Sequence, residues 1–199
     1  MQNTIATIKS ITNSKYLDII GVVLVVGVSV YLEYYKTTYD FSFDGKNYSF
    51  YLGYFSILNT CLSMIATRLV TKKNNIGNLI STCNTLLSGS IDYLLGNIGA
   101  ILTYPISFFG NYFAFQIWKK KQYLNAIDVI FFRNMAIGLL LSFVLNYIAF
   151  TSFSDKAIDW KLFFAIAIPA GISFGGTFNI GRMYPDNWIN WQVYNLFKI

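Results

Sequence analysis

The chain has 199 residues, 55% of them apolar and 19% aromatic, and only 12% charged, against about 25% charged in an ordinary soluble domain. That balance places it in the bilayer class, and at 22.7 kDa it reads as one helical domain, too small for a membrane domain joined to a separate soluble one. The net charge of +6 does not indicate nucleic acid, because the basic residues fall in short loops beside apolar spans, where positive charge orients a membrane protein. The absence of histidine removes the commonest general base and the commonest metal ligand. Cys61 and Cys83 lie inside apolar stretches and read as small core residues, not as a disulfide or a metal pair. No cofactor and no metal is expected.

Lys9 and Lys15 precede the first apolar stretch. It is longer than the roughly 7–15 residues of a signal-peptide core and no small-residue cleavage site follows, so it reads as a retained helix. A bilayer core takes about 20 apolar residues per helix. On that basis the sequence predicts membrane helices over 17–35, 48–67, 76–95, 97–118, 127–150 and 160–180. A seventh begins at 187 and is cut off at 199, too short to cross fully.

The loops alternate in charge. The N-terminus carries Lys9 and Lys15, the second loop Arg68, Lys72 and Lys73, the fourth Lys119, Lys120 and Lys121, and the sixth Arg182 beside Asp186. In the first and fifth loops lysine is balanced by aspartate, and the third, around Gly96, has no basic residue. The positive-inside rule then places the N-terminus in the cytoplasm of a multi-pass protein.

The segments differ in character. The first is almost purely aliphatic and reads as a lipid-facing anchor. The third carries Asn78, Ser81, Thr82, Asn84, Thr85 and Ser88. Its hydroxyls read as interhelical glue, whereas an amide such as Asn84 has more groups to satisfy and reads equally as a site residue. Pro105 interrupts the fourth segment, and Pro169 opens a glycine-rich run in the sixth. Each is either a static kink with small-residue packing or a hinge. The acids Asp18, Glu33, Asp92 and Asp128 fall near helix ends, and Arg133 lies within two turns of the cytoplasmic side, where it can snorkel. With no acid in mid-span, no proton-coupling machinery is evident and uniport follows.

Trp188, Trp191, Gln192 and Asn195 stand at i, i+3, i+4 and i+7, one stripe of a helix. Two flat rings and two carboxamides suit a ring-shaped, hydrogen-bonding solute; anchoring at the membrane interface is the other use of such tryptophans. The stretches KKNNIGNLISTCN and YPDNWINWQVYN echo one another, each with an asparagine about two turns into the helix, Asn84 and Asn195. If they correspond, the helices repeat in parallel around a linker, a recurring transporter plan.

The pattern Trp188-x-x-Trp191-x-x-x-Asn195, preceded by Asp186-Asn187, resembles the signature of the PnuC family of vitamin transporters, and residues 97–121, with Asn111 and Trp118 before basic residues, resemble the third helix of that family's first bundle. The likeness covers roughly residues 49–199. It implies an all-α membrane protein of two three-helix bundles in parallel repeat joined by a linker helix (3+1+3), a SWEET-like arrangement with an extra N-terminal helix. The corresponding division is 1–47 for the N-terminal segment and first helix, 48–121 for the first bundle, 122–156 for the linker helix, and 157–199 for a second bundle whose last helix is missing from this chain. A site glutamine of the family is replaced near Tyr104.

The resemblance further implies facilitated diffusion of nicotinamide riboside across the bacterial inner membrane, feeding pyridine nucleotide biosynthesis, with the cargo trapped by phosphorylation inside and the protein a homotrimer. The substrate-binding residues implied are Trp188, Trp191 and Asn195, with Gln192 and, from the opposite bundle, Asn84; the candidate hinges are Pro105 and Pro169. A cationic pyridinium over an indole face gains about 0.5–2 kcal/mol. Relatives carry thiamine or riboflavin, which leaves those cargoes open. A membrane enzyme would need a nucleophile with its base or a metal cluster, and the sequence offers neither; a non-transporting membrane subunit or structural membrane protein is the remaining alternative.

Overall fold

The aliphatic run after Ser14 winds into α1 (Lys15–Tyr31), whose first turn is closed by the Ser14 side chain accepting from the Tyr16 amide. The computed structural model describes residues 14–120, 125, 127–154, 157–184, 190 and 193–194. After α1 come a hairpin, β1 (Tyr39–Phe43) and β2 (Lys46–Phe50), and five helices: α2 (Leu52–Thr71), α3 (Ile76–Leu94), α4 (Ala100–Lys120), α5 (Val129–Ser152) and α6 (Trp160–Gly181). The seventh predicted segment, from 187 onward, lies almost wholly outside the described residues.

The hairpin departs from an all-helical reading. Its strands pair antiparallel with Tyr39 opposite Phe50 and Phe43 opposite Lys46. Asp44 and Gly45 at its tip both have positive φ, 50° and 69°, as a two-residue primed turn demands and as an Asp-Gly pair readily provides. Tyr39, Phe41 and Tyr48 stack along one face. The second helix therefore starts at Leu52, not at 48, because the aromatics before it are strand residues.

By length and composition α5, 24 residues, and α6, 22 residues, can cross a membrane. α1 is shorter, 17 residues, and α2, α3 and α4 are diluted by hydroxyl, amide and tyrosine side chains. α1 buries none of its residues, and its exposed side chains include Ile19, Ile20, Val23 and Leu24. It is held to α2 by Asp18, which accepts from Arg68 Nε at 2.6 Å and also pairs with Lys72. Cys61 is half-buried and Cys83 exposed, so Cys83 is not the core residue expected. Arg133 is likewise exposed on α5.

α3 packs between α2 and α4, α4 also meets α6, and α5 packs most extensively against α6. The α5–α6 seam is set by glycine. A Cβ on Gly171 would stand 2.6 Å from Leu139 Cα, and one on Gly175 would stand 2.6 Å from Met135 Cα. Gly138 faces both glycines from α5. Small residues spaced four apart let two backbones approach closely, the usual means of helix association where lipid is as apolar as the protein. The close approach brings polar groups within reach across the seam. Ser142 Oγ donates to the Ala167 carbonyl at 2.8 Å, Asn134 Nδ2 to Asn179 Oδ1 at 2.8 Å, and Asn179 Nδ2 to the Phe131 carbonyl at 3.3 Å. The helix ends are also closed. α2 and α6 both finish in a Schellman motif on a non-glycine residue, Lys73 and Met183, each with φ 62°. Asn74 and Tyr184 complete the two motifs by donating to the Leu69 and Asn179 carbonyls.

Overpacking a close contact of this kind costs about 1–3 kcal/mol. Gly175→Leu should therefore lower the melting temperature of the detergent-solubilised protein by several degrees. Gly27→Ala, which meets nothing within 4 Å, should leave it unchanged in the same scan.

Candidate functional site

α4 and α6 run alongside one another and are tightly joined at one end. Near their C-termini the Trp118 indole N–H donates to the Ile180 carbonyl at 2.7 Å. Ala114, Trp118, Ile180 and Met183 form a buried apolar cluster with Val70 against it. One turn further back a Cβ on Gly110 would stand 2.7 Å from Thr177 Cγ2. Toward their N-termini the two helices separate.

The space between them is a cavity of about 710 Å³. α4 contributes Thr103, Tyr104 and Ser107, α6 contributes residues from Leu162 to Phe174 including Pro169 and Ser173, the last turn of α3 supplies Asp92, and the turn after it Asn97. Tyr194, from the last segment, completes the wall. The size falls within the ~300–1,000 Å³ typical of small-molecule sites. The lining is mostly apolar, with polar groups from Asp92, Asn97, Thr103, Tyr104, Ser107 and Ser173 among it.

Both candidate hinges lie at this open half. Pro105 follows Tyr104 in α4 and Pro169 is buried in α6 on the cavity wall. Each lacks the N–H that would close a turn of its helix.

Asn84 is buried and sits elsewhere. Its Nδ2 donates to the Asn59 carbonyl at 3.2 Å and to Ser63 Oγ at 2.9 Å, both on α2, and its Oδ1 has no partner among the described residues. Ser88 Oγ donates to Asn59 Oδ1 at 2.5 Å, and Asn111 Nδ2 donates to Thr85 Oγ1 at 3.0 Å. The polar face of α3 thus ties α2 to α3 and α3 to α4, as the reading of its hydroxyls as glue anticipates. Trp188, Trp191, Gln192 and Asn195 lie outside the described residues. Of their neighbours in sequence, Asn190 is fully buried and Tyr194 lines the cavity.

The path into that last segment is anchored. The Tyr184 hydroxyl donates to Asp128 Oδ1 at 2.7 Å, and Asn125 Nδ2 donates to the Arg182 carbonyl at 2.5 Å. The bond from Tyr184 holds the Asp128 carboxyl below the ordinary carboxylate range, with the Phe131 and Ile130 amides adding to it.

Two residues of the cavity escape a reading by spacing. Asp92 looks like an ordinary acid at a helix end, yet it faces the cavity and accepts a hydrogen bond from the Tyr104 hydroxyl. Tyr104 stands near the position where the resemblance implies a replaced glutamine, and that expectation is the signal in the sequence that points to it. Among the described residues no group of histidine, cysteine, aspartate or glutamate is arranged to hold a metal ion.

No curated protein and no solved structure matches the chain. A family model described as nicotinamide mononucleotide transporter matches residues 53–199, which takes in α3 to α6 and nearly all of α2. The helices, the wedge between α4 and α6 and this match together place the chain among transmembrane transport proteins, and it belongs to the nicotinamide mononucleotide transporter family, also called PnuC.

Proposed function

We propose that the protein carries nicotinamide riboside, or a closely related vitamin, across the cytoplasmic membrane by facilitated diffusion, with the cargo trapped inside by phosphorylation. The observation that carries this reading is the cavity between α4 and α6, large enough for a nucleoside, closed at one end by Trp118 and Ile180 and lined by Tyr194. Trp191 and Asn195 are close neighbours of Tyr194 in the sequence.

In this reading α2, α3 and α4 are the first bundle, α5 is the linker, and α6 opens the second bundle. The matching non-glycine Schellman ends of α2 and α6 support a parallel repeat. The basic loops put the N-terminus in the cytoplasm, so the Asp92 end of the cavity faces outward and the Trp118 closure faces inward. Alternating access then needs α4 and α6 to part at Trp118 and to close across the prolines, as one bundle rocks against the other. The three copies that the family resemblance implies, and cargoes of the thiamine or riboflavin type, belong to the same reading.

In liposomes with all ion gradients collapsed, the protein should equilibrate radiolabelled nicotinamide riboside. Uptake that needs a proton or sodium gradient would contradict uniport. Trp188→Ala and Asn195→Ala should each abolish binding of the riboside by calorimetry while leaving expression unchanged; full affinity in both variants refutes the assigned stripe. In a background lacking Cys61 and Cys83, Ser107→Cys and Ser173→Cys should react with an impermeant thiol reagent added from outside, and Ala114→Cys, fully buried in the closure, should not.

A further inference from the structure

Asp92 is badly placed for a structural acid. It lies in the last turn of α3, where the helix macrodipole disfavours negative charge. Among the described residues no cation pairs with it; the ion pairs there are those of Glu33 with Lys36 and of Asp18 with Arg68 and Lys72. It is the charged residue among the described lining of the cavity. An ionisable group on the wall of a membrane protein's cavity, with no counter-charge among the described residues, points to a solute that enters.

The carboxylate is also held in position. The Tyr104 hydroxyl donates to Oδ2 of Asp92. Tyr104 reaches it because α3 and α4 approach closely at Gly89, where a Cβ would stand 2.8 Å from Tyr104 Cβ. Gly96, with φ +93°, ends α3 in a Schellman motif in which the Asn97 amide donates to the Asp92 carbonyl at 2.9 Å. Side chain and main chain of Asp92 are thus both fixed, and neither bond neutralises the charge. Tyr104 is neutral, and its single proton engages one of the two carboxylate oxygens.

We propose that Asp92 is the counter-charge for a cationic cargo, with Tyr104 as the positioning residue that aims it, so that the cavity selects by charge as well as by ring shape. This rests on the transport reading above. A pyridinium nucleoside gains attraction at the Asp92 end, whereas a group bearing phosphate meets like charge there with no basic residue among the described lining to offset it. The asymmetry suits a one-way carrier, because phosphorylation inside turns a preferred solute into a disfavoured one.

The test compares two probes on the full-length protein in lipid nanodiscs: nicotinamide riboside, which is cationic, and its reduced dihydro form, a near-isostere with the same carboxamide and sugar whose dihydropyridine ring carries no charge. Wild type should prefer the cation. Asp92→Asn, which keeps the shape and can still accept from Tyr104, should weaken binding of the cation at least about tenfold and leave the uncharged probe unchanged. Tyr104→Phe should weaken the cation less and retain the preference, since it frees the carboxylate without removing its charge. Melting temperatures of both variants near that of wild type establish that they are folded. Equal affinity of wild type and Asp92→Asn for the cation, or equal loss for both probes, overturns the assignment of Asp92 and leaves the transport reading standing. Loss of the preference in Tyr104→Phe overturns the division of roles. Failure of wild type to bind either probe removes nicotinamide riboside as the cargo, and this proposal with it.

Discussion

The structure depends on how closely two backbones can approach. Gly138 on α5 and Gly171 and Gly175 on α6 leave no side chain between the helices, and the seam they form brings Asn134, Ser142 and Asn179 within bonding distance of their partners. In hydrocarbon, apolar burial alone gives little reason for two helices to associate, since lipid tails are equally apolar; contact distance and internal hydrogen bonds decide. A rigid α5–α6 pair gives α4 a fixed surface to lean on. Without that pair, the Trp118 to Ile180 bond would have no stable partner and the cavity no second wall.

The cavity is a matter of angle. α4 and α6 meet at Gly110 with Thr177 and at Trp118 with Ile180, then separate where each carries a proline. Closed ends are made of glycine, indole and apolar packing; the open end is made of proline, serine, tyrosine and an acid. The chemistry changes along the wedge, from the Asp92 and Tyr104 pair at the open end to a dry constriction at Trp118.

Much of the helical framework is legible in the sequence, because a bilayer-length apolar run between charged loops admits few other structures. α3 and α6 start where the apolar patterns start, and α2, once the hairpin is set aside, ends with its basic cluster. The hairpin is less legible. Tyr39, Phe41, Phe43, Tyr48 and Phe50 count toward hydrophobicity whichever way they fold, and only their alternation about Asp44-Gly45 reveals strands. The site is harder still. Asn84 and the tryptophan stripe stand out by residue type, whereas Asp92 and Tyr104, twelve positions apart, meet only because Gly89 lets α4 lie against α3. Spacing along one helix cannot show a contact made between two.

Pro169 has an effect beyond the bend it introduces. The main-chain oxygen of Ala165 would ordinarily receive the amide hydrogen of the residue four positions on, and proline has none to give. Ala165 lies on the cavity wall. The helix is therefore short of one main-chain donor beside the cavity, a local break in its hydrogen-bond ladder that is set by the backbone and not by any side chain.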